Sequence, residues 1–441
     1  MNILFVSLGC DKNLVDSEVM LGIIRERGFK ITNDEKDADI IVVNTCCFIE
    51  DAKAESINTI LEMAEYKKIG KCKALIVTGC MGQRYHNEIA EEIPEVDGII
   101  GTTSYENITK VIDEALEGHF TEEMNSIDYL PVEGEVNRVM TTGGYFSYLK
   151  IAEGCDKHCT YCIIPSLRGK YRSRPMDALV KEAEYLAKNG VKELILVAQE
   201  TTLYGTDIYG EKKLPELLRN LCKVEGIEWI RLLYCYPEEI TDELIQTIKE
   251  EEKICHYIDM PIQHASDNVL KRMARKTNNA ELRERIAKIK AEIPDICLRT
   301  TLISGFPGET KEDHEEVLDF IDDIEFDRLG VFAYSKEENT PAAKLDNQVE
   351  DEVKEARKEE IMALQQEISY DKSQEFIGAT MKVLIEGKLP EDNVYIGRTF
   401  RDAPNVDGYC FVSCPYELMS GDFVNVKITE AKEYDLVGEV I

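Results

Sequence analysis

Cys155, Cys159 and Cys162 fall within eight residues, Cys155-Asp156-Lys157-His158-Cys159-Thr160-Tyr161-Cys162. The C-x3-C-x2-C spacing puts three thiolates on one short loop. That is enough to hold three irons of a four-iron cluster and to leave the fourth iron open to a small molecule. Iron–sulfur clusters take thiolate ligands, and a tight run of them is a cluster signature. A zinc ribbon would need two separated C-x2-C pairs, and the chain has no second pair. A chance or purely structural arrangement is the bland alternative, and the spacing is too specific for it. The chain therefore reads as one that binds an iron–sulfur cluster and uses it.

The rest of the composition fits an intracellular redox enzyme. A length of 441 residues allows about three domains. The 14 cysteines lie too far apart for a compact disulfide framework. Met1-Asn2-Ile3-Leu4-Phe5-Val6-Ser7-Leu8-Gly9 has no basic leader region and reads as a buried first strand rather than a signal peptide. No apolar run approaches the roughly 18 residues of a membrane helix. Reduced cysteines and no export signal point to the cytoplasm.

Net charge supplies the second constraint. At −33 the chain should repel nucleic acid at long range and attract basic partners. A nucleic-acid binder needs a basic footprint, because neutralising phosphates supplies most of its non-specific affinity. The bland reading is that the acids keep the chain in solution, and a net value averages over patches.

Residues 1–118 alternate strand and helix, which implies a parallel sheet. Ile3–Gly9, Asp39–Thr45, Ala74–Gly79 and Gly98–Gly101 are the strand candidates, with amphipathic stretches such as Leu14–Arg27 and Asp51–Ile69 between them. Cys10, Cys46 and Cys80 follow the first three strands. Ligands of a doubly wound sheet bind beyond the carboxyl ends of its strands, so three distant cysteines converge on one edge. One such cysteine would be an ordinary small hydrophobe. Three at equivalent strand ends argue for a second cluster, whereas Cys47 and Cys72 read as structural. Residues 119–143, with Pro131 and a Gly143-Gly144 pair at the end, read as linker, with room for short strands.

Residues 144–340 hold six strand candidates: Tyr148–Ala152, Glu193–Ala198, Trp229–Cys235, Tyr257–Pro261, Cys297–Ile303 and Leu329–Tyr334. Helical stretches such as Pro175–Lys188, Asp267–Ala291 and Lys311–Ile324 separate them. Six βα units make a partial barrel, whose site should lie at the strand carboxyl ends. The cysteine loop follows the first strand, and Gln199, Gln263 and the Ser304-Gly305 turn fall at other strand ends as cofactor contacts. Glycine lets backbone approach a ligand closely, although a Gly-Phe-Pro-Gly turn is also an ordinary loop. His264 is read as a satisfied structural histidine in preference to a ligand, His158 as solvent-facing, and Cys222, Cys235, Cys255 and Cys297 as core.

A charged connecting helix occupies 341–372, and 373–441 reads as a small five-stranded antiparallel β-barrel. Its six cations (Lys382, Lys388, Arg398, Arg401, Lys427, Lys432) stand against twelve acids, leaving −6. Barrels of this kind often bind nucleic acid, but that balance suits a basic protein better. Cys410 and Cys414 read as packing.

Cys155–Cys162 followed by Ile163-Ile164-Pro165-Ser166-Leu167-Arg168-Gly169 resembles the radical S-adenosylmethionine (SAM) methylthiotransferases. The order of that family, a cluster domain, a radical SAM barrel and a TRAM barrel, matches the whole chain. Ser7-Leu8-Gly9-Cys10-Asp11-Lys12-Asn13-Leu14-Val15-Asp16-Ser17-Glu18 and Ile151-Ala152-Glu153-Gly154 look like the branch that modifies an aspartate of small-subunit ribosomal protein S-twelve. The tRNA-modifying branch typically has Gln-Met-Asn after its first cysteine, where this chain has Asp11-Lys12-Asn13.

The resemblance implies two [4Fe–4S] clusters. Cys155, Cys159 and Cys162 would hold the one whose open iron chelates SAM and cleaves it to a 5′-deoxyadenosyl radical. Tyr161 matches the position that packs near the adenine. The radical would abstract hydrogen from the aspartate β-carbon, a centre no side-chain acid or base can activate. Cys10, Cys46 and Cys80 would hold the cluster that presents sulfur, and a second SAM would supply the methyl group. A low-potential donor such as flavodoxin or ferredoxin is expected, with a sulfur donor the residues leave open, no membrane and a monomeric chain. Two other readings stay open: a tRNA methylthiotransferase, which a basic patch on the last barrel would favour, and a non-catalytic iron–sulfur carrier.

Overall fold

The computed structural model describes residues 1–131, 138–390 and 393–441. Residues 132–137 of the expected linker, and Glu391 and Asp392, lie outside the described residues. Two compact units emerge: Met1–Thr141 with Ala152–Arg174 and Ser335–Ala343, and Thr142–Ile151 with Pro175–Tyr334 and Lys344–Ile441. Among the described residues no helix is long and apolar enough to cross a membrane.

The first unit is built on six parallel strands: β1 (Asn2–Ser7), β2 (Lys30–Ile31), β3 (Ile40–Thr45), β4 (Ala74–Thr78), β5 (Gly98–Ile100) and β6 (Thr121–Glu123). Their order is β2-β1-β3-β4-β5-β6. The direction of winding reverses between β1 and β3, where such a sheet opens a crevice at its carboxyl edge. Alternate residues of each strand face opposite cores. Leu4, Ile41, Val43, Leu75, Val77 and Ile99 pack on one side, and Ile3, Ile40, Val42, Ala74, Ile76 and Ile100 on the other. Burial on both faces is what makes these strands read as continuous apolar runs. Thr121–Glu123, expected within the linker, is a short edge strand paired with β5.

The cysteine loop belongs to this unit, although in sequence it follows a strand of the other. The short helix Ile164–Arg168 explains why: Ile163 and Leu167 join the same core cluster as Leu75, Val77 and Ile99. The expected 144–340 segment is therefore divided between the units.

In the second unit β7 (Phe146–Lys150), β8 (Glu193–Val197), β9 (Trp229–Leu232), β10 (Ile254–Asp259), β11 (Cys297–Ser304) and β12 (Arg328–Ala333) lie side by side in chain order, all parallel. This is the partial (β/α)6 barrel. Asp267–Ala291, expected as one helical stretch, is two helices, Asp267–Arg272 and Asn279–Glu292. They part after Ala274, whose φ of 57° lies in the left-handed region and cannot continue a helix. The connecting helix runs Asp351–Gln374.

The carboxy-terminal strands β13 (Thr380–Lys388), β14 (Val394–Arg398), β15 (Cys410–Ser413), β16 (Phe423–Ala431) and β17 (Leu436–Val440) close a barrel in the order β13-β14-β15-β17-β16. One feature corrects the all-antiparallel expectation: β15 and β17 pair in parallel. A closed ring with an odd number of strands cannot alternate throughout, so one parallel pair is forced. The segment 398–407 caps the amino-terminal ends of the (β/α)6 strands. Arg398 pairs with Glu193 at 2.6 Å, Asp402 with Arg328 at 2.6 Å, and Asp407 with Tyr257 at 2.7 Å.

Candidate active site and metal centre

Cys10, Cys46 and Cys80 lie just past the carboxyl ends of β1, β3 and β4. Those three strands are consecutive neighbours in the sheet, so sequence distances of 36 and 34 residues collapse onto one edge. The position a Cβ would take at Gly9 is 2.7 Å from Cys46 Cβ and 3.1 Å from its Sγ. Burial pushes the Cys46 thiol up to about 12, and the charges of Cys80 and Cys10 add to that. Burial likewise raises Cys80, with Arg168 opposing the rise. Thiols gathered at one strand edge suit a shared metal, which deprotonates them on binding. Cys10 is the N-cap of α1 (Asp11–Glu26).

The second set is local. The Cys162 amide donates to the Cys159 carbonyl at 3.0 Å, and the Lys157 amide donates to Cys155 Sγ at 3.4 Å. Burial pushes the Cys162 thiol up to about 12, and Cys159 and Cys155 add to the rise. At Gly154 φ is +77°, and a Cβ there would lie 2.0 Å from the Lys170 carbonyl oxygen. Only glycine lets the chain enter the loop at that point. Ala342 of the segment Ser335–Ala343 donates to the Thr160 carbonyl at 2.9 Å, holding the loop from its other side. Both donor sets, three thiols each, suit an iron–sulfur cluster.

Between the sets stands a polar cluster that the sequence reading missed. Arg168, 2% exposed, donates through Nη1 to Asp16 at 2.8 Å and Glu153 at 3.1 Å, and through Nη2 to Asn13 Oδ1. Burial works against its charge, but Cys80, Glu153 and Asp16 outweigh that and hold it well above its ordinary value. Asn13 was legible only as part of a branch motif. Its Nδ2 donates to the Leu8 carbonyl at 3.2 Å and the Thr45 carbonyl at 2.9 Å.

The other expected contacts belong to the second unit, at strand carboxyl ends. Gln199 follows β8 and is partly buried. Gln263 follows β10 with φ of 72° and bridges to Leu302 of β11. Ser304 is buried, and its hydroxyl donates to the Lys354 carbonyl at 3.0 Å. A Cβ at Gly305, where φ is +69°, would lie 2.2 Å from Lys354 Cγ. The Ser304-Gly305 turn thus fits the connecting helix closely. Tyr161 sits in the cysteine loop, partly buried, and His158 is exposed, as expected. His264 is structural: its Nδ1 accepts from the Ser266 amide at 3.0 Å, and its Nε2 is 3.5 Å from Glu309. In the last barrel Arg398 and Arg401 are buried against Glu193, Glu386 and Asp327, so they contribute no basic patch.

Comparison with known proteins bears on the family of the chain. Residues 2–101 match Uncharacterized protein family UPF0004, 149–321 the Radical SAM superfamily and 377–441 the TRAM domain. The Ribosomal protein uS12 methylthiotransferase RimO of Lachnoclostridium phytofermentans is 66% identical over 438 residues, covering 99% of each chain. That of Clostridioides difficile is 52% identical, covering 99% of this chain and 98% of its own. The radical S-adenosylmethionine methyltransferase TsrM from Kitasatospora setae shares the fold, with a TM-score of 0.54 at 13% identity over 90% of this chain and 80% of its own. Membership of the superfamily brings SAM and a [4Fe–4S] cluster, which the Cys155–Cys162 loop is suited to hold. Full-length identity at this level, with the same order of domains, places the chain in the uS12 methylthiotransferase RimO family of radical SAM enzymes.

Proposed function

We propose that this chain inserts a methylthio group at the β-carbon of an aspartate of ribosomal protein uS12, using two [4Fe–4S] clusters. The observation that carries the two-cluster reading is the placement of two separate cysteine triads in one compact unit. Cys155, Cys159 and Cys162 hold the radical-forming cluster, and Cys10, Cys46 and Cys80 the auxiliary one. When bound, these clusters with SAM supply the one-electron chemistry, the sulfur and the methyl group that an unactivated C–H bond needs.

The chain's own residues position and shield. Gly154 admits the backbone turn that sets three thiols on one loop, and the Lys157 amide donates to the Cys155 sulfur. Tyr161 would pack near the adenine, and Gln199, Gln263, Ser304 and Gly305 stand at the carboxyl ends of barrel strands, where the cofactor would be met. Alignment of donor and acceptor atoms in a site closed to water is where such an enzyme gains its rate. A surface of net charge −33 draws in a basic ribosomal protein and disfavours tRNA. The work is cytoplasmic, by a monomer whose sequence runs as segments 1–118, 119–143, 144–340, 341–372 and 373–441, with parts of the third folding into each compact unit. A flavodoxin or ferredoxin supplies electrons, and a separate donor supplies sulfur.

Cysteine variants test the division of labour. Cys155→Ala, Cys159→Ala or Cys162→Ala should abolish SAM cleavage. Cys10→Ala, Cys46→Ala or Cys80→Ala should cleave SAM and fail to insert sulfur. Equal loss of cleavage in both groups would contradict the assignment.

A further inference from the structure

Asn13 and Arg168 are 155 residues apart, yet they meet on a single oxygen. Asn13 is fully buried on α1. Its Nδ2 donates to Leu8, two residues before Cys10, and to Thr45, which directly precedes Cys46. Its Oδ1 accepts from Arg168 Nη2 and lies 4.0 Å from Cys80 Sγ. One side-chain amide therefore touches the loops of all three auxiliary cysteines. Asn44 Nδ2, at 2.9 Å from the Asn13 carbonyl, fixes the residue from behind.

Arg168 is anchored on the radical-site loop. It lies six residues beyond Cys162, and its partner Glu153 lies two residues before Cys155. The Cys155 amide donates to the Gly169 carbonyl at 3.1 Å, so both ends of that loop are tied at the arginine. Its rigid fork reaches from there to Asp16 and Asn13 of α1.

Cys80 Sγ lies beside the same Asn13 oxygen that Arg168 Nη2 holds, so two acceptors meet next to one guanidinium in a buried site. We propose that Asn13 and Arg168 act together as positioning residues for the auxiliary cluster. Asn13 sets the three thiol-bearing loops relative to one another, and Arg168 supplies the cationic hydrogen-bond partner beside the Cys80 sulfur. Partners around a ligating group orient it and tune the metal, and hydrogen bonds to cluster sulfurs set its potential. The inference rests on the two-cluster reading.

The test uses the full chain with Cys155→Ala, Cys159→Ala and Cys162→Ala combined, so that the auxiliary set alone holds iron after anaerobic reconstitution. Two readouts are followed: the rate of iron loss to a chelator, and the midpoint potential of the remaining cluster. Arg168→Met should lose iron about 10–100-fold faster and shift the potential to more negative values. Arg168→Lys should restore most of the potential, since the charge remains, and little of the retention, since an ammonium lacks the fork. Asn13→Ser keeps the Asp16 and Glu153 pairs and should also speed iron loss, so the inference stays testable if Arg168→Met fails to fold. Parental iron loss and potential in Arg168→Lys and Asn13→Ser would overturn it. A triple-alanine chain that takes up no iron at all would instead overturn the two-cluster reading beneath it.

Discussion

Asp16, Ser17 and Glu18 are consecutive polar residues on one helix, and each is buried against a different partner. Asp16 meets Arg168, Ser17 meets Ser7 and Asn44, and Glu18 accepts from Arg138 and Thr141. These contacts explain why a stretch legible only as a family motif departs from the polar-out pattern of a surface helix. Glu18→Ala should destabilise the first unit by about 3–5 kcal/mol in chemical denaturation, because it removes a buried carboxylate that pairs with Arg138 and accepts from Thr141. Gly154→Ala should bind about half the parent's iron, since the Cβ would strike the Lys170 carbonyl and displace the radical-site loop. A full iron complement would contradict that view of the loop. The six cysteines were legible because spacing and strand ends mark them. Asn13 and Arg168 were not, because a lone Asn and a lone Arg carry no periodic signal and acquire their role only through contacts across the fold.

At the scale of elements, the strands were legible as apolar β-branched runs, and the parallel (β/α)6 order followed from their alternation with helices. The assignment of the cysteine loop to the first unit was not, since it depends on where Ile163 and Leu167 find a core. Nor was the seat of the last barrel. Glu193 opens β8 and is fully buried between Arg231 at 2.8 Å and Arg398 at 2.6 Å. Burial opposes its ionisation, yet Arg398 and Arg231 together hold its carboxyl below the ordinary 4.5. A carboxyl lowered on folding contributes stability that is present above its unfolded value. That stability is lost as pH falls through the folded value. Glu193→Gln should therefore destabilise the second unit by about 3–5 kcal/mol at neutral pH. Denaturation curves of parent and variant should converge as pH drops below about 4.5. A difference that persists unchanged in acid would contradict the ion-pair account.

For the whole molecule, net charge and domain order are both legible in the amino-acid sequence, and together they favour a basic protein substrate over RNA. Raising ionic strength should slow modification of the ribosomal protein by about 10-fold or more, because electrostatic steering is screened within a Debye length. Rates measured at subsaturating substrate across a salt series would check this, and a flat series would leave the −33 charge without a role in recognition. The central claim is met most directly by one experiment. Anaerobically reconstituted enzyme is given a reductant, methyl-labelled SAM, small ribosomal subunits and bulk tRNA together, and the protein and RNA fractions are then separated. Label should appear as a methylthio group on the uS12 aspartate and stay out of the RNA. Label in the tRNA, or intact SAM with neither fraction labelled, would contradict it.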